Sequence, residues 1–131
     1  GLDQHGLERT AVCCLSSLNL ETWTEWKDDA RFIPDVMRFL DNVLQSFIDT
    51  APDSMARARY SAMRERSVGL GVMGFHSFLQ ALNVPFESAI AKVWNKRMFK
   101  HIRAQADLAA TMRTPGPPSP SPRAACSTWI S

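Results

Sequence analysis

The sequence has few of the features that mark secreted, membrane-spanning, metal-binding or nucleic-acid-binding proteins. It contains three cysteines and no Cys-x-x-Cys spacing, and its three histidines are scattered, which argues against a zinc site. No run of about 18 apolar residues is present to span a membrane, and residues 1–10 contain no apolar signal region. The net charge of +2 is too small to indicate binding to DNA or to a membrane. Free cysteines without disulfide spacing fit a cytoplasmic protein.

What the sequence does contain is typical of one globular domain. Its 131 residues are 45% hydrophobic and 21% charged, which is ordinary for a protein of this kind. Because the chain begins with Gly1 and not with methionine, we expect it to be a piece of a longer protein.

The most chemically distinctive stretch is residues 8–20, ERTAVCCLSSLNL, in which Cys13 and Cys14 are adjacent. The β-branched and apolar residues from Thr10 to Leu15 predict a short buried strand. Since successive side chains of a strand point to opposite faces, the two thiols should face different surroundings and should not bond to each other. A free cysteine is often only a small buried hydrophobic residue, and that interpretation stays open for both.

Apolar residues at helical spacing predict about four helices. The first has the stripe Val36, Phe39, Leu40, Val43, Leu44, Phe47 and Ile48 and ends before Pro52. The second, short helix covers residues 55–65, and the third follows Phe75, Phe78, Leu79 and Leu82. The fourth runs from Ser88 to about Met112 with the apolar face Ile90, Val93, Trp94, Met98 and Ile102. Trp23 and Trp26, on a turn before the first helix, are interpreted as packing anchors.

The second helix is rich in arginine, with Arg57, Arg59, Arg64 and, just beyond it, Arg66. Such a cluster can bind phosphate through paired N–H groups. The alternative is a solvated helix face in which the arginines form ion pairs with acidic neighbours, and this is the interpretation we favour.

A glycine-rich segment, RSVGLGVMGF, occupies residues 66–75. Val68, Leu70 and Val72 alternate with glycine, which predicts a strand with one bare face, where another group approaches closely. Gly69, Gly71 and Gly74 also match the spacing of a dinucleotide-binding fingerprint. That alternative lacks an acidic residue at the end of a second strand about 20 positions later, so we favour the strand.

Two segments of the chain resemble the large (α) subunit of ribonucleotide reductase. AVCCLSSLNL, residues 11–20, is similar to the family segment A-L/V-C-x-L-S-x-L/F-N-L, and RSVGLGVMGF to R-S/T-L/I/V-G-L/I-G-V-x-G/N-F. The two stand in the family's order, and the resemblance extends from about Leu7 to about Ala110. It implies an α/β fold by descent that is mostly α-helical in this chain, with two short strands and about four helices of a ten-stranded barrel in residues 1–112.

The resemblance implies reduction of ribonucleotides to deoxyribonucleotides for DNA synthesis. In that chemistry a thiyl radical abstracts the 3′-hydrogen, the 2′-hydroxyl leaves, and a dithiol pair supplies two electrons. The resemblance places one thiol of the pair on Cys13, with its partner outside the chain, and puts Cys14 at a variable position. The radical cysteine and the substrate-phosphate loop also belong to other segments of the family.

The implied partners are the remainder of the α subunit, a radical-generating small subunit and a ribonucleoside di- or triphosphate. The full enzyme needs a radical generator, either a metal-containing partner subunit or adenosylcobalamin, and a thioredoxin-type reductant. We expect the chain by itself to bind no cofactor and to be inactive. The rival hypothesis is a small helical interaction module without enzymatic ancestry, which would be indifferent to substitution of Cys13.

Residues 113–131 differ in character from the rest. Five prolines lie between Pro115 and Pro122, which excludes helix and central strand and predicts disorder or polyproline II. This tail does not resemble the family, so it is either the product of a shifted reading frame or a genuine linker. Its Cys126 is not equated with the family's C-terminal cysteine pair.

Overall fold

The computed structural model describes residues 1–112, so the predictions for residues 113–131 lie outside the described part of the chain. Residues 1–112 form two strands and five α-helices, and none of these helices is both long and apolar enough to cross a membrane. The strands are β1 (Cys14–Asn19) and β2 (Val68–Met73). The helices are α1 (Trp23–Trp26), α2 (Phe32–Thr50), α3 (Ala56–Glu65), α4 (Phe75–Ala81) and α5 (Ala89–Thr111). Two short 3-10 turns, Leu20–Thr22 and Asp53–Met55, precede α1 and α3.

The two strands pair in parallel, with Leu15 opposite Gly69 and Asn19 opposite Met73. The prediction of a strand across residues 68–72 is confirmed, whereas the predicted bounds of the first strand, Thr10–Leu15, are wrong. The ladder begins at Cys14 because its partner strand begins at Val68, just after Arg66 ends α3 in a left-handed conformation. The start of β1 is thus set by its partner strand and not by the β-propensity of residues 10–12.

The core lies between one face of this sheet and the helices. Helices α2 and α5 pack against each other, and α2 also contacts both strands. The largest side chains with almost no exposed surface are Leu20, Ile33, Leu40, Leu44, Leu79 and Met98. A smaller cluster of Leu44, Ile48 and Ala62 joins α2 to α3. The predicted helices are all present; the fifth, α1, is the short turn that carries the tryptophans.

The predicted apolar stripes are only partly buried. In α2 the residues Leu40, Leu44 and Ile48 are buried, but Phe39 is 63% exposed. In α5 the contact line runs through Ala91, Met98, Ile102 and Ala106, and Ile90 and Val93 are exposed. A helix touches its neighbour along a line of residues four apart, and alanine on that line permits close approach. The predicted apolar face of α5 counted only large residues, so it wrongly included Ile90 and Val93 and missed Ala91 and Ala106.

Trp23 and Trp26 are packing anchors, as the sequence predicts. Both are buried, and their rings meet edge to face with centroids 4.9 Å apart. The indole Nε1–H of Trp26 donates to the carbonyl oxygen of Asn19 at 3.0 Å, and its ring stacks on Phe32. The pair thereby fixes the end of β1 to the start of α2.

Arg66 ties α2 to the entry of β2. Its Nε and Nη2 donate to the same carboxylate oxygen of Asp41 at 3.0 and 2.9 Å, and Nη1 donates to Gln45 at 2.6 Å. Only 16% of the Arg66 side chain is exposed, so these bonds are shielded from water. Its backbone adopts φ 44° and ψ 47°, a conformation that is unfavourable for a residue with a side chain. The hydrogen bonds offset that local strain.

We expect Arg66→Ala to destabilise the folded chain by about 1–3 kcal/mol, because it removes shielded, charge-assisted hydrogen bonds and keeps the left-handed backbone. Chemical denaturation followed by circular dichroism measures the change. Arg57→Ala is the matched control, since the Arg57–Glu8 pair is mostly exposed and should contribute only about 0–1 kcal/mol. Equal effects of the two substitutions would contradict this role for Arg66.

Candidate functional site

One face of the sheet is not covered by the helices. Cys13 and the β1 side chains of Leu15 and Ser17 lie on this face, opposite Gly69 and Gly71 of β2; we call these five residues the open face. Leu15 is 76% exposed, and Cys13 and Ser17 are also exposed. The prediction of a buried strand is therefore correct for only one face of β1, because glycine on β2 provides no side chains to cover the other.

The two adjacent thiols lie on opposite faces, as the alternation of a strand predicts. Cys14 packs against both apolar clusters of the core. Cys13 points to the open face, where its Sγ lies 3.6 Å from the point at which a Cβ of Gly69 would stand. Although Cys13 is exposed overall, partial desolvation by its neighbours raises the pKa of its thiol, and the neighbouring Cys14 raises it further. The two cysteines thus have different surroundings, and of the two Cys13 lies on the open face.

The glycine-rich segment fits against the cysteine segment residue by residue. A Cβ on Gly69 would stand 2.5 Å from Cδ2 of Leu15, and one on Gly71 would stand 3.3 Å from Oγ of Ser17. Both glycines lie within β2, not in a turn that could hold a phosphate, so the dinucleotide-fingerprint alternative is wrong for them. They leave room for side chains of β1.

Asn19 closes the end of β1. Its Oδ1 accepts from the Glu21 backbone N–H at 3.0 Å, and its carbonyl oxygen accepts from the Thr22 hydroxyl at 3.2 Å. Gly74 follows β2 at φ 75°, and a Cβ there would overlap the Asn19 Oδ1. The asparagine and the third glycine of the two segments therefore meet at the carboxyl end of the strands.

Residues 3–113 match the family model described as ribonucleotide reductase, barrel domain. The chain belongs to this family. It is 57% identical over 99 residues to the ribonucleoside-diphosphate reductase large subunit of Invertebrate iridescent virus 6, covering 76% of this chain and 10% of that protein. The corresponding protein of Schizosaccharomyces pombe is 38% identical over 96 residues, which is 72% of this chain and 12% of the relative.

The fold agrees with a solved reductase structure. The class Id ribonucleotide reductase alpha subunit of Actinobacillus ureae superimposes with a TM-score of 0.73 and 37% identity, covering 82% of this chain and 22% of that one. The chain thus spans a small part of its relatives. The two reductase-like segments are the paired strands of the barrel domain, and nothing in these matches favours a helical module without enzymatic ancestry.

The arginine-rich helix of the barrel segment forms ion pairs with its acidic neighbours. Arg57 contacts Glu8 at 2.6 Å, and Arg59 contacts Asp53 at 4.0 Å. Arg66 is bonded to Asp41 of α2. For these three residues the ion-pair interpretation is confirmed, and they do not converge on a phosphate site.

Residues 1–112 contain no group of side chains suited to bind a metal ion. No group of three histidine, cysteine, aspartate or glutamate side chains lies close enough there to hold an ion. His76 is exposed beside the ring of Phe86, and His101 packs edge to face on Trp23. Both histidines therefore contact aromatic rings.

The raised pKa of Cys13 predicts a distinct pH dependence of its alkylation. A raised pKa keeps the thiol protonated at pH values where an ordinary thiol is already ionised, and only the thiolate reacts. Iodoacetamide labelling, resolved by peptide mass spectrometry, should therefore rise at higher pH for Cys13 in the folded chain than for Cys13 in the chain unfolded in urea. Superimposable pH profiles would contradict the effect of burial.

Proposed function

We propose that this chain is the part of a ribonucleoside-diphosphate reductase large subunit that carries one thiol of the substrate-reducing pair, and that this thiol is Cys13. The observation that carries the proposal is the position of Cys13 on the open face, within the family's cysteine segment, while the half-buried Cys14 packs against the core. A redox thiol has to reach both substrate and reductant, and Cys14 can reach neither without opening the core.

The proposed chemistry balances across the pair. Cys13 and a second thiol each lose a proton, and the two sulfurs together give up two electrons as they join in a disulfide. The ribonucleotide gains the two electrons and the two protons, so that the C2′–OH bond is replaced by C2′–H and water leaves. Closure of the disulfide requires the two Cα atoms to lie about 4.4–6.8 Å apart, which a rigid strand at Cys13 favours over a loop. A thioredoxin-type reductant then regenerates the dithiol by exchange.

The second thiol has to come from outside residues 1–112. Cys14 is the other cysteine of this range, and it faces away from Cys13 into the core. The described residues likewise do not fit a metal-containing radical generator, so we derive no step through one. We therefore propose that the remainder of the large subunit supplies the partner cysteine, the radical and the phosphate site for a ribonucleoside di- or triphosphate. A reducing cytoplasm is the compartment in which these thiols persist.

A direct consequence is that the 131-residue chain should form no deoxynucleotide by itself. Incubation with CDP or CTP and dithiothreitol, analysed by chromatography, should give the same background as the Cys13→Ser chain. Turnover above that control would show that the chain is complete as a catalyst, and would overturn the proposal that the partner thiol lies elsewhere.

A chimaera tests the role of Cys13. Residues 1–110 are substituted for the matching segment of the large subunit of Invertebrate iridescent virus 6, with which the chain is 57% identical. Cys13→Ser should abolish multiple turnover with a thioredoxin-type reductant, whereas Cys14→Ser should keep it, because a core serine affects stability more than chemistry. Loss of turnover in both variants, or in neither, would contradict the assignment.

A further inference from the structure

A gap in the β2 side of the open face is filled by one side chain of β1. Gly69 lies opposite Leu15 in the ladder, and a Cβ at Gly69 would stand 2.5 Å from Leu15 Cδ2, too close for both to exist. Leu15 therefore lies across the strand, in the volume that a side chain at position 69 would occupy. The same point is 3.6 Å from the Sγ of Cys13. The end of the leucine and the thiol thus both lie within 4 Å of one point above Gly69.

We propose that Gly69 is a positioning residue for Cys13, acting through Leu15. Without a side chain at position 69, the leucine lies against the sheet and forms an apolar wall beside the thiol. This inference rests on the proposed function of Cys13, but the arrangement it describes can be tested without turnover. It assigns the first glycine of the segment to the thiol environment, whereas Gly71 faces Ser17 and Gly74 faces Asn19.

The structure indicates what a methyl group at position 69 would do. The clash falls on the end of a flexible, 76% exposed side chain, so Leu15 can rotate away without disrupting the core. The new methyl group would meet the Cys13 Sγ at an ordinary van der Waals distance. Cys13 would then lose its larger apolar neighbour while the fold persists. Since apolar cover disfavours the thiolate, its loss should make the thiol more reactive.

The test compares Gly69→Ala with Gly71→Ala in the full 131-residue chain. The readout is the ratio of the iodoacetamide labelling rates of Cys13 and Cys14, resolved by peptide mass spectrometry, because Cys14 on the opposite face reports any general loosening. Gly69→Ala should raise the ratio by roughly threefold or more. Gly71→Ala replaces a glycine two residues further along the same face, and it should leave the ratio unchanged. An unchanged ratio in Gly69→Ala, or an equal rise in Gly71→Ala, overturns the proposal.

Leu15→Ala distinguishes the effect of the leucine from the effect of the glycine. It removes the apolar wall directly, so it should raise the ratio and shift the pH profile of Cys13 labelling to lower pH, even if Gly69→Ala fails to fold. The double variant should behave like Leu15→Ala alone, because the glycine acts through the leucine. Additive effects, or no effect of Leu15→Ala, overturn the proposal. Each result is independent of whether the chimaera needs Cys13 for turnover, so the two hypotheses fail separately.

Discussion

Replacing Met98 with alanine should lower the free energy of unfolding by about 2–5 kcal/mol. Met98 lies in the middle of α5 with no exposed surface, within the core cluster that includes Leu20 and Leu79. Truncation removes apolar contacts and leaves a cavity that the paired helices cannot close without losing their own contacts. Urea unfolding followed by far-ultraviolet circular dichroism measures the loss. For a domain of this size it is a large fraction of the total stability.

Met63→Ala provides the matched control. Met63 lies in α3 and is 53% exposed, so the same change of helix propensity occurs without loss of core packing. We expect its effect to stay within about 0.5 kcal/mol. If both substitutions had similar effects, α5 would not be packed against α2 as described.

Gly74→Ala should destabilise the chain by about 3 kcal/mol, because a backbone penalty and a steric overlap add. The backbone at Gly74 has φ 75°, where a Cβ is unfavourable by about 1–2 kcal/mol. The Cβ would also overlap Asn19 Oδ1 and stand 3.1 Å from the Glu21 backbone nitrogen, so the turn after β1 has to move. The bonds that Asn19 makes at the end of β1 are then lost or strained. Thermal or urea unfolding provides the measurement.

Gly6→Ala isolates the backbone part of this effect, so the difference between the two variants measures the steric part. Gly6 has nearly the same φ, 73°, but nothing lies within 4 Å of the position of its Cβ. Only the backbone penalty of about 1–2 kcal/mol should appear. If Gly6→Ala proved as destabilising as Gly74→Ala, the contact with Asn19 would contribute nothing.

Helices could be predicted from the sequence because their signals are local. The stripe from Val36 to Ile48 and the break at Pro52 give α2 within a few residues of its bounds, and the Ser88 cap gives the start of α5. The buried faces of these helices were harder to predict, because α5 is packed along Ala91 and Ala106, which no hydropathy pattern singles out. The bounds of β1 failed for a related reason, because a strand exists only where its distant partner is present.

The candidate site, too, has features that the local sequence predicts and features that depend on distant residues. The motif around Cys13 and the alternation of strand side chains were enough to place the two thiols on opposite faces. The roles of Leu15 and Gly69 could not be predicted from the sequence, because they depend on which residues of two separate segments lie opposite each other. The glycines at 69 and 71 signalled a close approach, and only the register tells that Leu15 and Ser17 are the groups that approach.

The parallel pairing of the strands also affects the order in which the chain folds. Every pair in the ladder joins residues 54 positions apart, from Cys14 with Val68 to Asn19 with Met73. Closing so long a loop is entropically unfavourable, and the closure has to precede any gain from the ladder. Helices α2 and α3, whose contacts are local, should therefore form first. During synthesis, the surroundings of Cys13 take shape only when residues 68–73 have left the ribosome, so the thiol spends the early life of the chain without its protecting neighbours.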